Sequence, residues 1–134
     1  MRIAKGRVAG AASEERGPTF TGRVWVDPVL AAEDDVSVNS VFFEPGARTH
    51  WHTHAIGQVL HVTHGAGFVG RRDGTGGPIG AGDVVHIAAG EEHWHGAAPD
   101  SYLLHVAVSL GDADWLDAVT DEQYAAAFEE SGPQ

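Results

Sequence analysis

Residues 46–65 read Gly-Ala-Arg-Thr-His-Trp-His-Thr-His-Ala-Ile-Gly-Gln-Val-Leu-His-Val-Thr-His-Gly, and their spacing decides the fold. Side chains on a β-strand alternate between its two faces, so His52 and His54 point the same way and both imidazoles can reach one ion. Gln58 has the same parity and can add an amide oxygen, and Leu60 and Val62 continue the series. Just upstream, Pro45-Gly46 is the pair favoured at the centre of a type II turn. Before that turn Val36–Phe43 alternates as a strand, with Val36, Val38, Ser40 and Phe42 on one face. Ser37, Asn39, Val41 and Phe43 share the other.

Working outward, Arg23–Asp27 reads as a strand ended by Pro28, and the first twenty residues read as irregular chain draped over the outside or over a neighbouring subunit. Downstream, Gly65 and Gly67 interrupt the pattern before Phe68–Arg71, and Asp73-Gly74 marks a hairpin turn followed by a Gly76-Gly77-Pro78 loop. Gly82–Ile87 and Tyr102–Ser109 are further strands. Short strands broken by frequent turn signals predict an all-β sandwich or barrel. The period then changes: Thr120-Asp-Glu-Gln123 is a capping box, opening a helix through about Glu130 that presents Tyr124, Ala127 and Phe128 on one side.

The chain has 134 residues, enough for one domain, with a core over about 20–110 and a helical tail over about 112–130. With no cysteine, a disulfide scaffold, a zinc ribbon, an iron–sulfur site and a thiol nucleophile are excluded, and any metal falls to His, Asp, Glu, Gln or backbone oxygen. A formal net charge of −11 repels phosphate backbones, so no nucleic-acid partner is expected. No apolar run approaches a membrane span and the N-terminus lacks an apolar signal core, so the expected location is cytoplasmic, away from membranes. The 9 histidines, concentrated between residues 50 and 105, exceed what solubility requires.

A further ligand comes from Gly90-Glu-Glu-His93-Trp-His95. A His-x-His pair alone is more often incidental than metal-binding. Here Gly46, His52, His54, Gln58 and Gly65 stand at the spacing of the first cupin motif, with glutamine where glutamate is usual, and Gly82, Gly90 and His93 resemble the second. Ala88 and Ala97 depart from that second motif, which carries proline and asparagine there. Phe43–Thr49, Trp51–His54, Gly82–Val85, His93–Pro99, Asp114-Trp115 and Val119–Tyr124 together resemble small bacterial cupins that include manganese-dependent hydroxynitrile lyases.

This resemblance implies a double-stranded β-helix, or jelly-roll barrel, with a short C-terminal helix. It implies one divalent metal per chain on His52, His54, Gln58 and His93, manganese first, with iron, nickel or zinc as alternatives. It also matches His105 to a catalytic histidine; strand parity puts Leu103, His105, Ala107 and Ser109 on one face, although a buried histidine bonded to a carbonyl suits that position equally. Asn39, Val41 and Ser109 are expected to line a substrate pocket, with His50 at its border or in solvent. The lyases carry a smaller residue opposite Asn39 and an amide opposite Ser109. His61 reads as a packing or interface residue, His64 and His86 as non-catalytic, and His95 as a hydrogen-bonding partner near His93. Three functions are compatible: cleavage of a small cyanohydrin, oxygenation of a diketone or phenol, or metal-stabilised small-molecule binding. Apolar residues on both faces of the last strand predict a homodimer or homotetramer.

Overall fold

A computed structural model describes residues 1–6 and 12–129. Twelve strands and one helix follow in order: β1 (Glu14–Arg16), β2 (Phe20–Thr21), β3 (Val24–Glu33), β4 (Val36–Phe43), β5 (Arg48–Thr49), β6 (His52–His54), β7 (Gly57–Arg71), β8 (Gly76–Gly80), β9 (Val84–Ile87), β10 (His93–Ala97), β11 (Leu103–Leu110), β12 (Ala113–Trp115) and α1 (Asp121–Glu129). All pairings are antiparallel. One sheet carries β1, β3, β4, β11, the first half of β7, and β9. The other carries the second half of β7 with β8, β10, β5, β2, β6 and β12.

β7 joins the sheets because it bends at Gly65, whose φ is +85°. A Cβ there would lie 2.0 Å from the Tyr102 carbonyl oxygen, so only glycine lets β11 approach. The β7–β11 register shifts beside this point, between Leu104 and His105. The sheets fold over an interior of Val24, Val26, Val41, Phe43, Leu60, Val62, Ile87, Leu103 and Ala107. The expected strand faces hold: Asn39, Val41 and Phe43 turn inward, while Val38, Phe42, Leu104, Val106 and Val108 stay half-buried on the outside. The Pro45-Gly46 turn is present, with the Ala47 amide donating to the Glu44 carbonyl over 2.9 Å and φ of +82° at Gly46.

Three local expectations are corrected. Pro28 does not end its strand, because it stands at a bulge in the β3–β4 ladder, where a missing N–H is tolerated. The first twenty residues contain β1 and the start of β2 rather than only irregular chain. Gly76–Gly80 is a strand, and Pro78 fits because β8 pairs on one side only.

The tail helix is seated as its cap predicts. The Gln123 amide donates to Thr120 Oγ1 over 3.1 Å and the Thr120 amide to Gln123 Oε1 over 2.9 Å. Tyr124, with Ala127 and Phe128 beside it, packs on Trp51, Phe68 and Trp94. The Tyr124 hydroxyl donates to the Ala97 carbonyl over 2.6 Å. Glu130 lies outside the described residues. Among the described residues, no helix is long and apolar enough to cross a membrane.

Candidate metal centre

β6 and β10 lie side by side with His52 opposite His93, so alternation turns His52, His54, His93 and His95 toward the same space. Ring centroids of His52 lie 4.2 Å from His93, 5.1 Å from His54 and 5.3 Å from His95. All four side chains are buried. Ring nitrogens of His52, His93 and His95 lie within 4.8 Å of one another, close enough for the three imidazoles to hold a metal ion.

Hydrogen bonds fix which nitrogens are free. The His52 Nδ1–H donates to the His50 carbonyl over 2.9 Å, and the His93 Nδ1–H to the Glu91 carbonyl over 2.9 Å. Each ring then carries its lone pair on Nε2, the arrangement that orients histidine ligands. Gln58 enters from β7, and its Nε2 donates to Ser109 Oγ over 3.0 Å, which turns Oε1 the other way. That oxygen lies 3.1 Å from His93 Nε2. Two lone pairs facing each other at this distance repel unless a cation lies between them. His54 has both ring nitrogens buried without a hydrogen-bond partner. Such orphaned polar atoms are costly in a protein interior. The donor set therefore fits a metal ion.

Burial keeps these rings in the neutral form that binds metal. It holds His52 well below the usual imidazole range, with further depression from His93. His54 is pushed down to about 4 by burial and then by His93, and burial also lowers His93. His95 is held well below the usual range by burial and by His105.

A cavity of about 380 Å³ lies over these histidines. His52, His54 and Gln58 line it, as do the expected pocket residues Asn39, Val41 and Ser109. The other expected site residues lie outside this lining. His50 is half-buried and outside the lining, its carbonyl serving His52. His93 stands behind the lining beside Gln58. His105 is fully buried in the layer behind, where its Nε2 meets His95 Nδ1 at 3.0 Å. His95 is thus the ring between His105 and the cavity, a place that its parity with His93 signals. His61, His64 and His86 are exposed on the outer surface. Trp115, stacked on His52 at 4.4 Å, and Arg16, Thr19 and Phe20 complete the wall from segments that sequence periodicity does not connect to it.

Ser109 is the anchor that aims the Gln58 oxygen. Ser109→Ala should weaken binding of a divalent metal ion by about 10–100-fold, as loss of a ligand's orienting partner does elsewhere. Titration calorimetry measures this, and an unchanged affinity would show that the amide needs no anchor.

No protein-family model matches the sequence. The (R)-mandelonitrile lyase of Granulicella tundricola is 49% identical over 123 residues, which cover 86% of this chain and 94% of that protein. A cupin-like protein of Thermotoga maritima aligns with a TM-score of 0.78 and 44% identity over 90% of this chain and 93% of its own. A polyketide cyclase of Streptomyces resistomycificus, at 17% identity and a TM-score of 0.68 over 92% of each chain, shares the fold. With the histidine cluster of a cupin barrel and near-half identity along most of its length, the chain belongs to the family of small bacterial cupins that contains the (R)-mandelonitrile lyase of Granulicella tundricola.

Proposed function

We propose that the protein is a metal-dependent lyase that splits small aromatic cyanohydrins into an aldehyde and hydrogen cyanide. The observation that carries this reading is the buried His95–His105 pair, joined at 3.0 Å, whose His95 ring lines the same cavity as His52, His54 and Gln58. Identity to a lyase across most of the chain supports it.

His52, His54, Gln58 and His93 would hold the ion; His95, whose ring nitrogen also lies within 4.8 Å of those of His52 and His93, is assigned to the proton instead. When bound, the ion supplies Lewis acidity, and because Gln58 is neutral no ligand charge cancels its own. Manganese is the ion we expect; imidazole and amide donors also accept iron, nickel or zinc. The cavity residues handle the proton. With the proton on His95 Nδ1 directed at His105 Nε2, the lone pair on His95 Nε2 would serve as the base for the substrate hydroxyl. It takes the hydroxyl proton as the carbonyl forms, and the carbon–carbon bond breaks with its electron pair leaving on cyanide. The same nitrogen then returns the proton to cyanide, so the pair ends as it began. Asn39, Val41 and Ala107 form the wall against which the organic body rests.

Restoring manganese to metal-free protein should produce mandelonitrile cleavage well above the buffer rate. His52→Ala should lose both the metal and the cleavage. Loaded wild type no faster than buffer would end the lyase reading, and dioxygen uptake with a diketone or phenol would establish an oxygenase in its place.

A further inference from the structure

The cavity is uneven in charge. Among the described residues no aspartate or glutamate lines it, and Arg16 is its one side chain with a permanent charge. Arg16 arrives there through β1, whose register sets it opposite Val24 and sets Glu14 opposite Val26. Directly paired residues of an antiparallel ladder project on the same face. Val24 and Val26 point into the interior, 0% and 5% exposed, so Arg16 is carried over the inner side of the sheet, at the mouth.

Its partner there is Glu14, at 3.1 Å, and both side chains are largely in solvent, 45% and 59% exposed. An ion pair so exposed is worth about 0–1 kcal/mol, too little to hold the guanidinium against a competing carboxylate. The rest of the mouth is apolar or neutral: Pro18, Thr19, Phe20 and Trp115, with the Phe20 and Trp115 rings 5.8 Å apart.

We propose that Arg16 docks the carboxylate of an anionic substrate, selecting aromatic hydroxy compounds that carry an acid group remote from the reacting hydroxyl. The Phe20 and Trp115 rings would hold the aromatic body between the two ends. The inference rests on the lyase reading for the hydroxyl end alone.

Binding without turnover tests it. The probes are 4-(hydroxymethyl)benzoate and its neutral counterpart benzyl alcohol, titrated by NMR into metal-free full-length protein. Wild type should bind the carboxylate probe about 3–10-fold more tightly, the advantage shrinking as salt rises. Arg16→Gln should abolish the preference and Glu14→Gln should increase it. Arg23→Gln removes the same charge from a side chain 67% exposed and outside the cavity, and should leave the preference unchanged. Equal affinity for the two probes, no saturable binding of the carboxylate probe, or a preference that survives Arg16→Gln would overturn the proposal. Because no turnover is read, any of these results leaves the cyanohydrin assay standing, and failure of that assay leaves this one standing.

Discussion

His95→Ala is expected to lower cleavage of a mandelonitrile-type cyanohydrin by about 10²–10⁴-fold, the range for loss of a general base, with metal content unchanged. The expectation follows from position. His95 lines the cavity and its Nε2 is unpartnered, whereas His105 lies behind it, outside the lining, joined by their 3.0 Å hydrogen bond. Burial pushes His105 down to about 4, so it stays neutral and can accept the hydrogen bond from His95 Nδ1. His105→Ala should therefore slow turnover as well, by freeing the His95 tautomer, and should also shift the pH profile. His105→Gln, which can still accept that bond, should recover part of the rate. Metal analysis separates the alternatives. If His95→Ala loses the ion, His95 is a ligand; if it turns over as fast as wild type, the pair moves no proton.

The metal-free protein should also be acid-sensitive at a pH where carboxylates are still ionised. His54 and His105 are 4% and 0% exposed, and burial lowers both from 6.5 to about 4. In the unfolded chain they regain ordinary affinity for protons, so below pH 6.5 the unfolded state binds more protons than the folded one. Their contribution is complete above about pH 6.5 and is lost as pH falls toward 4. Each pH unit of difference is worth about 1.4 kcal/mol per group, so by pH 5 the two together give up on the order of 2–4 kcal/mol. His52, His93 and His95 shift the same way and add to the loss. A manganese-loaded sample should resist, because the ion competes with protons for the ring nitrogens. Urea midpoints at intervals from pH 7 to pH 5, with and without manganese, measure both. A flat midpoint in the metal-free protein would show that these rings are not held neutral by burial.

Strand parity carries far in this sequence, and its failures share a cause. His52 and His54 fall on one cavity wall, and Gln58, Asn39, Val41 and Ser109 on the sheet facing it, because a period of two is local and each strand reports its own face. Parity has no depth, however. It puts His105 and Ser109 on one face without telling that His95, from another strand, stands between His105 and the cavity. Nor does it reach segments without alternation. β1 is three residues long and exposed throughout, so nothing in Glu14–Arg16 announces a strand or places Arg16 at the mouth. Pro28 and Pro78 read as strand breakers because proline denies a hydrogen bond, yet a bulge and a one-sided strand ask for none there.

The histidines come from β6 and β10 in one sheet, while Val26, Asn39, Val41 and Ala107 come from β3, β4 and β11 in the other. The four clustered histidines and the apolar wall that faces them thus sit on opposite sheets of the barrel. A lineage can change one wall by single substitutions and inherit a working centre intact, so descendants with different substrates need not pass through an inactive ancestor. The exception is Gln58, which stands beside Ser109 in the second of these sheets and yet turns its oxygen toward His93: a change at 109 that suits a new substrate also alters the aim of that oxygen, and position 109 is where divergence meets its constraint.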